Sequence, residues 1–197
     1  MSKLIFFDCE TTGTKFWKNG IHQISGLIEI DGEVKETFNF HVKPSYPGVV
    51  IEDEALAVSG VTRAQIMEYA EMRYVYNQII KMLGKFLDPY EKKSTKRKFH
   101  LVGYNNRGFD DSFLRAFFVQ NGDEYFGAWF YSDSIDVLVL ASQYFKDVRH
   151  KMANFQLRTV CAEAGIQVDE TKLHDAQYDI NLTRELYHIL TTAKSDN

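Results

Sequence analysis

Hydrophobic positions along the chain fall into two periods, and the switches between them trace an alternating α/β pattern. Lys3 to Asp8 is a short apolar run ending in polar residues, which predicts a central strand buried on both faces with a site at its C-terminal end. Ile21 to Ile30 reads as a second strand and Asp31-Gly32 as a hairpin turn. In the third strand Val34, Phe38, Phe40 and Val42 alternate with Lys35, Thr37, Asn39 and His41, so one face is covered and the other wetter. Lys43 to Gly48 is a proline-bearing loop, followed by short helices at Glu52 to Val58 and Thr62 to Met67, split by Ser59-Gly60 and expected to overhang the site. Helical spacing of Val75, Ile79, Met82, Leu83 and Phe86 stops at Asp88-Pro89. Phe99 to Tyr104 returns as a strand, and the next helix buries Phe113, Leu114, Phe117 and Phe118 before Asn121-Gly122. Trp129 to Ser132 is expected as a last short strand. Helices then follow over Asp136 to Phe145, through Leu157, Val160, Cys161 and Ala164 to a Gly165 cap, and from about Ala176 to about Leu190, with a polar tail from about 191.

Composition changes this picture little. The 197 residues are 45% hydrophobic and 25% charged, which suits a single domain over 1–197 with a sizeable core. The net charge of -4 argues against a protein that coats nucleic acid, because such domains carry a basic excess, but not against one that grips only a strand end. The densest basic run, Glu91 to Lys98, reads first as a solvated loop and second as a contact for a nucleic-acid backbone. Cys9 and Cys161 lie in apolar contexts without metal-type spacing, so a disulfide or zinc is not expected and a reducing cytoplasm is. The longest apolar runs fall far short of a membrane span, and Met-Ser-Lys lacks a signal-peptide pattern.

The candidate chemistry lies in three distant stretches. Asp8 and Glu10 are two apart on a strand and share a face, about 7 Å apart by backbone rise, while Cys9 points into the core. Such a span brackets two divalent ions about 4 Å apart. Asp110 follows a strand and opens a helix, from which its carboxylate turns back towards Asp8; Asp111 competes for that role, and one of the two is an ordinary first-turn acid. His174 and Asp179 are five apart, which places His174 on the loop before the last helix and Asp179 one turn in, facing the sheet. A rigid ligand and a mobile general base suit that division. Four crowded carboxylates repel one another and favour bound metal, and oxygen-only ligands select Mg²⁺ or Mn²⁺ over zinc.

Asp8-x-Glu10-Thr-Thr-Gly, Asn106-x-x-Phe109-Asp110 and His174-x-Ala-x-x-Asp179, in this order, resemble the DEDD superfamily of 3′-to-5′ exonucleases in its histidine-bearing branch. That branch includes the proofreading epsilon subunit, RNase T and exonuclease I, whose second motif is similar to Gly103-Tyr104-Asn105-Asn106 with Phe109-Asp110-Asp111. The resemblance covers nearly the whole chain and implies an RNase H-like α/β fold, a mixed five-stranded sheet flanked by helices. It further implies Asp8, Glu10, Asp110 and Asp179 as ligands of two divalent ions and His174 as general base. Thr11, Thr12, Glu54, Ser59 and Asn106 fall where relatives hold the terminal nucleotide. Ser59 stands where many relatives have histidine, and the chain stops soon after its last helix, without the epsilon subunit's docking extension. The expected partner is a nucleic-acid 3′ end, single-stranded DNA by preference and RNA as the alternative. A binding module would be expected to have lost one of the five residues, and Glu10 stands where an Asp-x-Asp-x-Thr phosphatase needs its second aspartate.

Overall fold

The computed structural model describes residues 2–89, 98–172 and 176–192. Strands β1 (Lys3–Thr11), β2 (Ile21–Ile30), β3 (Glu33–Lys43), β4 (Ala70–Glu71), β5 (His100–Gly103) and β6 (Ile135–Asp136) form one mixed sheet in the order β4-β3-β2-β1-β5-β6. β1, β2 and β3 are antiparallel, and β5 and β6 continue parallel to β1. The expected mixed five-stranded sheet is therefore present, with a correction: a sixth strand, β4, pairs two residues in parallel with Val42 and Lys43. Two residues carry no readable alternation, which is why the apolar pattern does not show it.

The helices are α1 (Asp53–Val58), α2 (Arg63–Met67), α3 (Met72–Gly84), α4 (Asp110–Gln120), α5 (Phe126–Trp129), α6 (Val137–Tyr144), α7 (Leu157–Glu163) and α8 (Ala176–Thr192). Thr62 starts α2 with a capping box, its hydroxyl accepting from Gln65 N–H while Gln65 Oε1 accepts from Thr62 N–H. Each face of β1 belongs to a different core. Ile5, Phe7 and Cys9 pack with α3 and α4 through Val75, Ile79, Phe113 and Phe117. Leu4 and Phe6 pack with α6, α7 and α8 through Val137, Cys161, Ile180 and Leu186. Full burial of β1 on both sides is what its unbroken apolar run demands.

Two further expectations are corrected. Trp129 to Ser132 does not form the last strand: Trp129 ends α5, Phe130 makes only an isolated parallel bridge to Phe99, and β6 forms a few residues later. Val34 does not share the covered face of Phe38 and Val42. A register shift opposes Glu36 to Ile28 but Val34 to Glu29, so the residue inserted between them turns Val34 over and leaves it exposed. Residues 91–97 of the basic run lie outside the described residues, whereas Lys98 donates to the Gly127 carbonyl. Among the described residues, no helix is long and apolar enough to cross a membrane.

Candidate active site

β1 carries Asp8 and Glu10 on the face that meets α8, opposite Ser25 and Gln23 of β2. A second register shift falls just beyond Glu10, where Glu10 opposes Gln23 but Thr11 opposes Ile21, leaving His22 as the extra residue of a bulge. Bulges commonly re-aim side chains beside active sites. Here His22 turns into a fully buried position and its Nε2 lies 3.0 Å from the Ser59 hydroxyl. Burial first, and the nearby His41 second, lowers the His22 base to about 4, so the ring is neutral at physiological pH.

Asp110 opens α4, and its Oδ1 accepts the backbone N–H of Cys9 at 3.2 Å. That bond joins the second motif to the residue between the two carboxylates of the first. Asp111 diverges: its carboxylate accepts from Asn106 Nδ2 at 3.0 Å and from the Ser134 hydroxyl. The competition left open between the two acids is thus separated structurally, with Asp110 beside Asp8 and Asp111 tied to the loop before β6. The β5–α4 turn that allows this places Asn105 in the left-handed region at φ 63°, with its N–H held by Asp136 Oδ1 at 2.9 Å. Asparagine tolerates that conformation better than other side-chain-bearing residues.

Electrostatics identifies the cluster. Burial, then the charges of Glu10 and Asp179, pushes Asp8 up to about 7; burial, then the charge of Asp8, pushes Asp110 up to about 8. The Cys9 thiol is driven well above its ordinary range by burial and by the same acids. Four carboxylates from β1, α4 and α8 therefore share one field. Between Asp8 and Asp179 lies a cavity of about 180 Å³, also lined by Tyr104, whose hydroxyl donates to the Phe155 carbonyl at 2.7 Å. Among the described residues no three of these side chains converge as a preformed metal cage. The fit to hard divalent cations rests instead on donor chemistry: the groups are all oxygen, and burial and mutual repulsion raise Asp8 and Asp110, a repulsion that a cation would relieve.

The residues expected around a terminal nucleotide separate into two sets. Glu54 is exposed on the first turn of α1, and Ser59 is half-buried against His22. Thr11, Thr12 and Asn106 are buried and bonded within the protein. Thr11 donates to Gly13 O at 2.7 Å; the Thr12 hydroxyl donates to Val50 O at 2.8 Å and accepts from Gly20 N at 2.9 Å. His174 lies outside the described residues.

The chain matches the family model described as exonuclease, of the RNase T type, over residues 5–187. It belongs to that exonuclease family. It is 26% identical to Ribonuclease T of Photobacterium profundum over 199 residues, covering 93% of this chain and 79% of that protein. It is 24% identical to a PolC-type DNA polymerase III of Mycoplasmopsis pulmonis, over 93% of this chain but only 11% of that much longer protein. In structure it resembles E. coli exonuclease I in complex with a dT13 oligonucleotide, with a TM-score of 0.74 and 22% identity, over 98% of this chain and 41% of that one. The chain thus spans most of the Ribonuclease T but only a small part of the polymerase and less than half of exonuclease I.

Sequence reasoning passed over two features of this chain. Asn19 is a buried hub: its amide donates to Thr12 O at 3.3 Å, Val50 O at 3.0 Å and Glu52 Oε1 at 3.2 Å, stapling the loop after β1 to the start of α1. Gly13 makes room for it, since a Cβ there, at φ +156°, would lie 2.4 Å from the Asn19 amide. Gln23, Ser25 and Asn39 form a hydrogen-bonded polar strip across β2 and β3 beside the acids. The alternation of Gln23 and Ser25 within the apolar run of β2 was its available signal.

Proposed function

We propose that this protein is a divalent-metal-dependent 3′-to-5′ exonuclease that removes nucleoside 5′-monophosphates from single-stranded DNA ends in the cytoplasm. The observation that carries this reading is the coupling of Asp8, Glu10, Asp110 and Asp179 at the C-terminal end of β1. These residues would hold two ions, Mg²⁺ or Mn²⁺. Such ions lower the pKa of a water and stabilise charge on the departing oxygen. His174 would take the proton as the water oxygen attacks phosphorus and the bond to the 3′ oxygen breaks. β1 and α4 supply rigidity: the Cys9 N–H to Asp110 bond fixes the spacing of the first two motifs, and Asn19 ties the loop after β1 to Glu52 at the start of α1. Ser59, oriented by His22, and Glu54 contact the terminal nucleotide in this reading, with Thr11, Thr12 and Asn106 shaping the pocket around it.

RNA ends are the second reading, favoured by the extent of the likeness to Ribonuclease T, which spans most of both chains. Matched 5′-labelled single-stranded DNA and RNA oligonucleotides, with Mg²⁺, Mn²⁺ or EDTA, separate the two. A metal-dependent ladder shortening from the 3′ end, lost in Asp8→Ala, is the expected result, and the faster strand names the sugar. His174→Ala should lower kcat while retaining metal binding; loss of metal in that variant would make His174 a ligand. No cleavage of either strand under any metal would leave a binding protein for strand ends.

A further inference from the structure

One charged side chain is fully buried in the sheet away from the acidic cluster. Glu29, near the end of β2, is 2% exposed among the apolar neighbours Leu27, Ile28 and Ile30. Its Oε2 accepts from Arg184 Nε at 2.6 Å and lies 2.9 Å from His188 Nε2, both on α8. A carboxylate offers only acceptors, so the imidazole nitrogen that faces it carries a hydrogen. Nη2 of the same guanidinium donates to Gly32 O at 3.1 Å, in the turn between β2 and β3. Burying an ion pair gains little stability over apolar residues of the same volume, because desolvation offsets the attraction. The best-attested use of such a pair is to fix register.

The register it fixes follows from the rise of the two elements. Glu29 is paired with Leu4 of β1, and Asp8 stands four residues further along, about 13 Å at the rise of a strand. On α8, His188 stands nine residues beyond Asp179, about 13.5 Å at the rise of a helix. α8 packs on the face of β1 that carries Leu4, Phe6 and Asp8, and Phe6 meets the Tyr187 ring edge to face at 5.5 Å. The helix therefore runs antiparallel to β1, and its C-terminal half reaches Glu29 when Asp179 is level with Asp8. Ile180, Leu182 and Leu186 also hold α8 to this core, but apolar contacts are non-directional and tolerate a small slide or roll. A slip of one helical turn would carry Asp179 about 5.4 Å along β1.

We propose that Glu29, through Arg184 and His188, positions α8 so that Asp179 meets Asp8, and thereby sets the affinity of the acidic cluster for divalent metal. The proposal rests on the two-ion reading of that cluster, and it makes Glu29 a positioning residue that touches neither metal nor substrate.

The test reads metal binding apart from turnover. The paramagnetic resonance signal of free Mn²⁺, followed during titration of the protein at pH 8 without nucleic acid, gives the binding midpoint. Glu29→Gln should raise that midpoint roughly tenfold, the scale expected for a sub-ångström misplacement of one ligand. In digestion of octathymidylate it should raise the Mg²⁺ concentration for half-maximal activity similarly, while kcat at saturating Mg²⁺ and KM for the octamer stay within about twofold. Arg184→Ala, at a half-buried position, should act likewise and carries the comparison if Glu29→Gln does not fold; the double variant should go no further than either, and Arg184→Lys should retain most of the wild-type affinity. Phe126→Leu, which opens a cavity beside Phe118 and Phe130 in the other core, should lower Tm and leave the Mn²⁺ midpoint unchanged. A wild-type midpoint in Glu29→Gln and Arg184→Ala, or an equal rise in Phe126→Leu, would overturn the proposal alone. Wild-type protein that binds no Mn²⁺ would sink the two-ion reading and the proposal with it.

Discussion

Asp8→Asn removes one charge from the acidic cluster while keeping its shape, and should strengthen the metal-free fold at neutral pH. Burial, together with Glu10 and Asp179, raises Asp8 from 3.8 to about 7. The folded chain therefore keeps a proton on Asp8 through a window in which the unfolded chain has lost it. Stability from this group is present below about pH 4 and is lost as pH rises to about 7, above which the ionised carboxylate weakens the fold. A displacement of about three units at about 1.4 kcal/mol each sets a ceiling of about 4 kcal/mol. Asp110, raised by burial and by Asp8, shares the repulsion, so removing one charge relieves the other and the two gains do not add. Asparagine should recover about 2 kcal/mol at pH 8 in chelating buffer, part of the ceiling being lost to the amide's imperfect pairing. Urea unfolding at pH 4, 6 and 8 in EDTA measures the gain, which should vanish towards pH 4. Adding Mg²⁺ or Mn²⁺ at pH 8 should stabilise wild type and barely move the variant. An Asp8→Asn protein no more stable than wild type at pH 8, with the same slope against pH, would refute the electrostatic account.

Two other sites carry predictions of different kinds. His22, lowered to about 4, stays neutral in the fold while the unfolded chain takes up its proton below about 6.5, so its contribution is complete above that pH and declines by up to about 3 kcal/mol as pH falls to 4. His22→Gln should flatten the acid limb of the wild-type stability curve over that interval in a direct comparison of Tm against pH; an unchanged limb would assign the loss to other groups. Gly13→Ala should cost on the order of 1–3 kcal/mol by driving a methyl group into the Asn19 amide. Asn19→Ala should cost a similar amount, and denaturant unfolding of the double variant should show clear non-additivity, because both act on one contact; simple addition would separate them.

The parts of the fold that were legible in the sequence are those long enough to show a sustained apolar run or a repeating apolar period. β1 and β2 read cleanly because each is apolar nearly throughout, and α4 because Phe113, Leu114, Phe117 and Phe118 recur at helical spacing. The alternation of β3 failed at Val34 because a bulge is invisible to a strict period of two. β4, β6 and α5 were missed or misplaced because elements of two to four residues carry no period, and their pairing is decided by what lies beside them. The choice between Asp110 and Asp111 was likewise closed to spacing alone and was made only by the resemblance. It depends on the turn at Asn105, which directs one carboxylate to the Cys9 amide and the other to Ser134.

The rigidity that makes the cluster readable also predicts how it exchanges protons for metal. Asp8 and Glu10 stand on a strand hydrogen-bonded to β2 and β5, and Asp110 is bonded to the amide between them, so the acids cannot relieve their repulsion by moving apart. What remains is to take up a proton or a cation. With Asp8 and Asp110 raised to about 7 and about 8, both routes compete near neutrality, and each proton released frees ligand capacity. The Mg²⁺ concentration giving half-maximal activity should therefore fall as pH rises from 6 to 8, by several-fold at least, with the change confined to that interval. Activity titrations at fixed ionic strength measure it, and the same metal midpoint at pH 6 and pH 8 would show that the metal does not bind where these carboxylates meet.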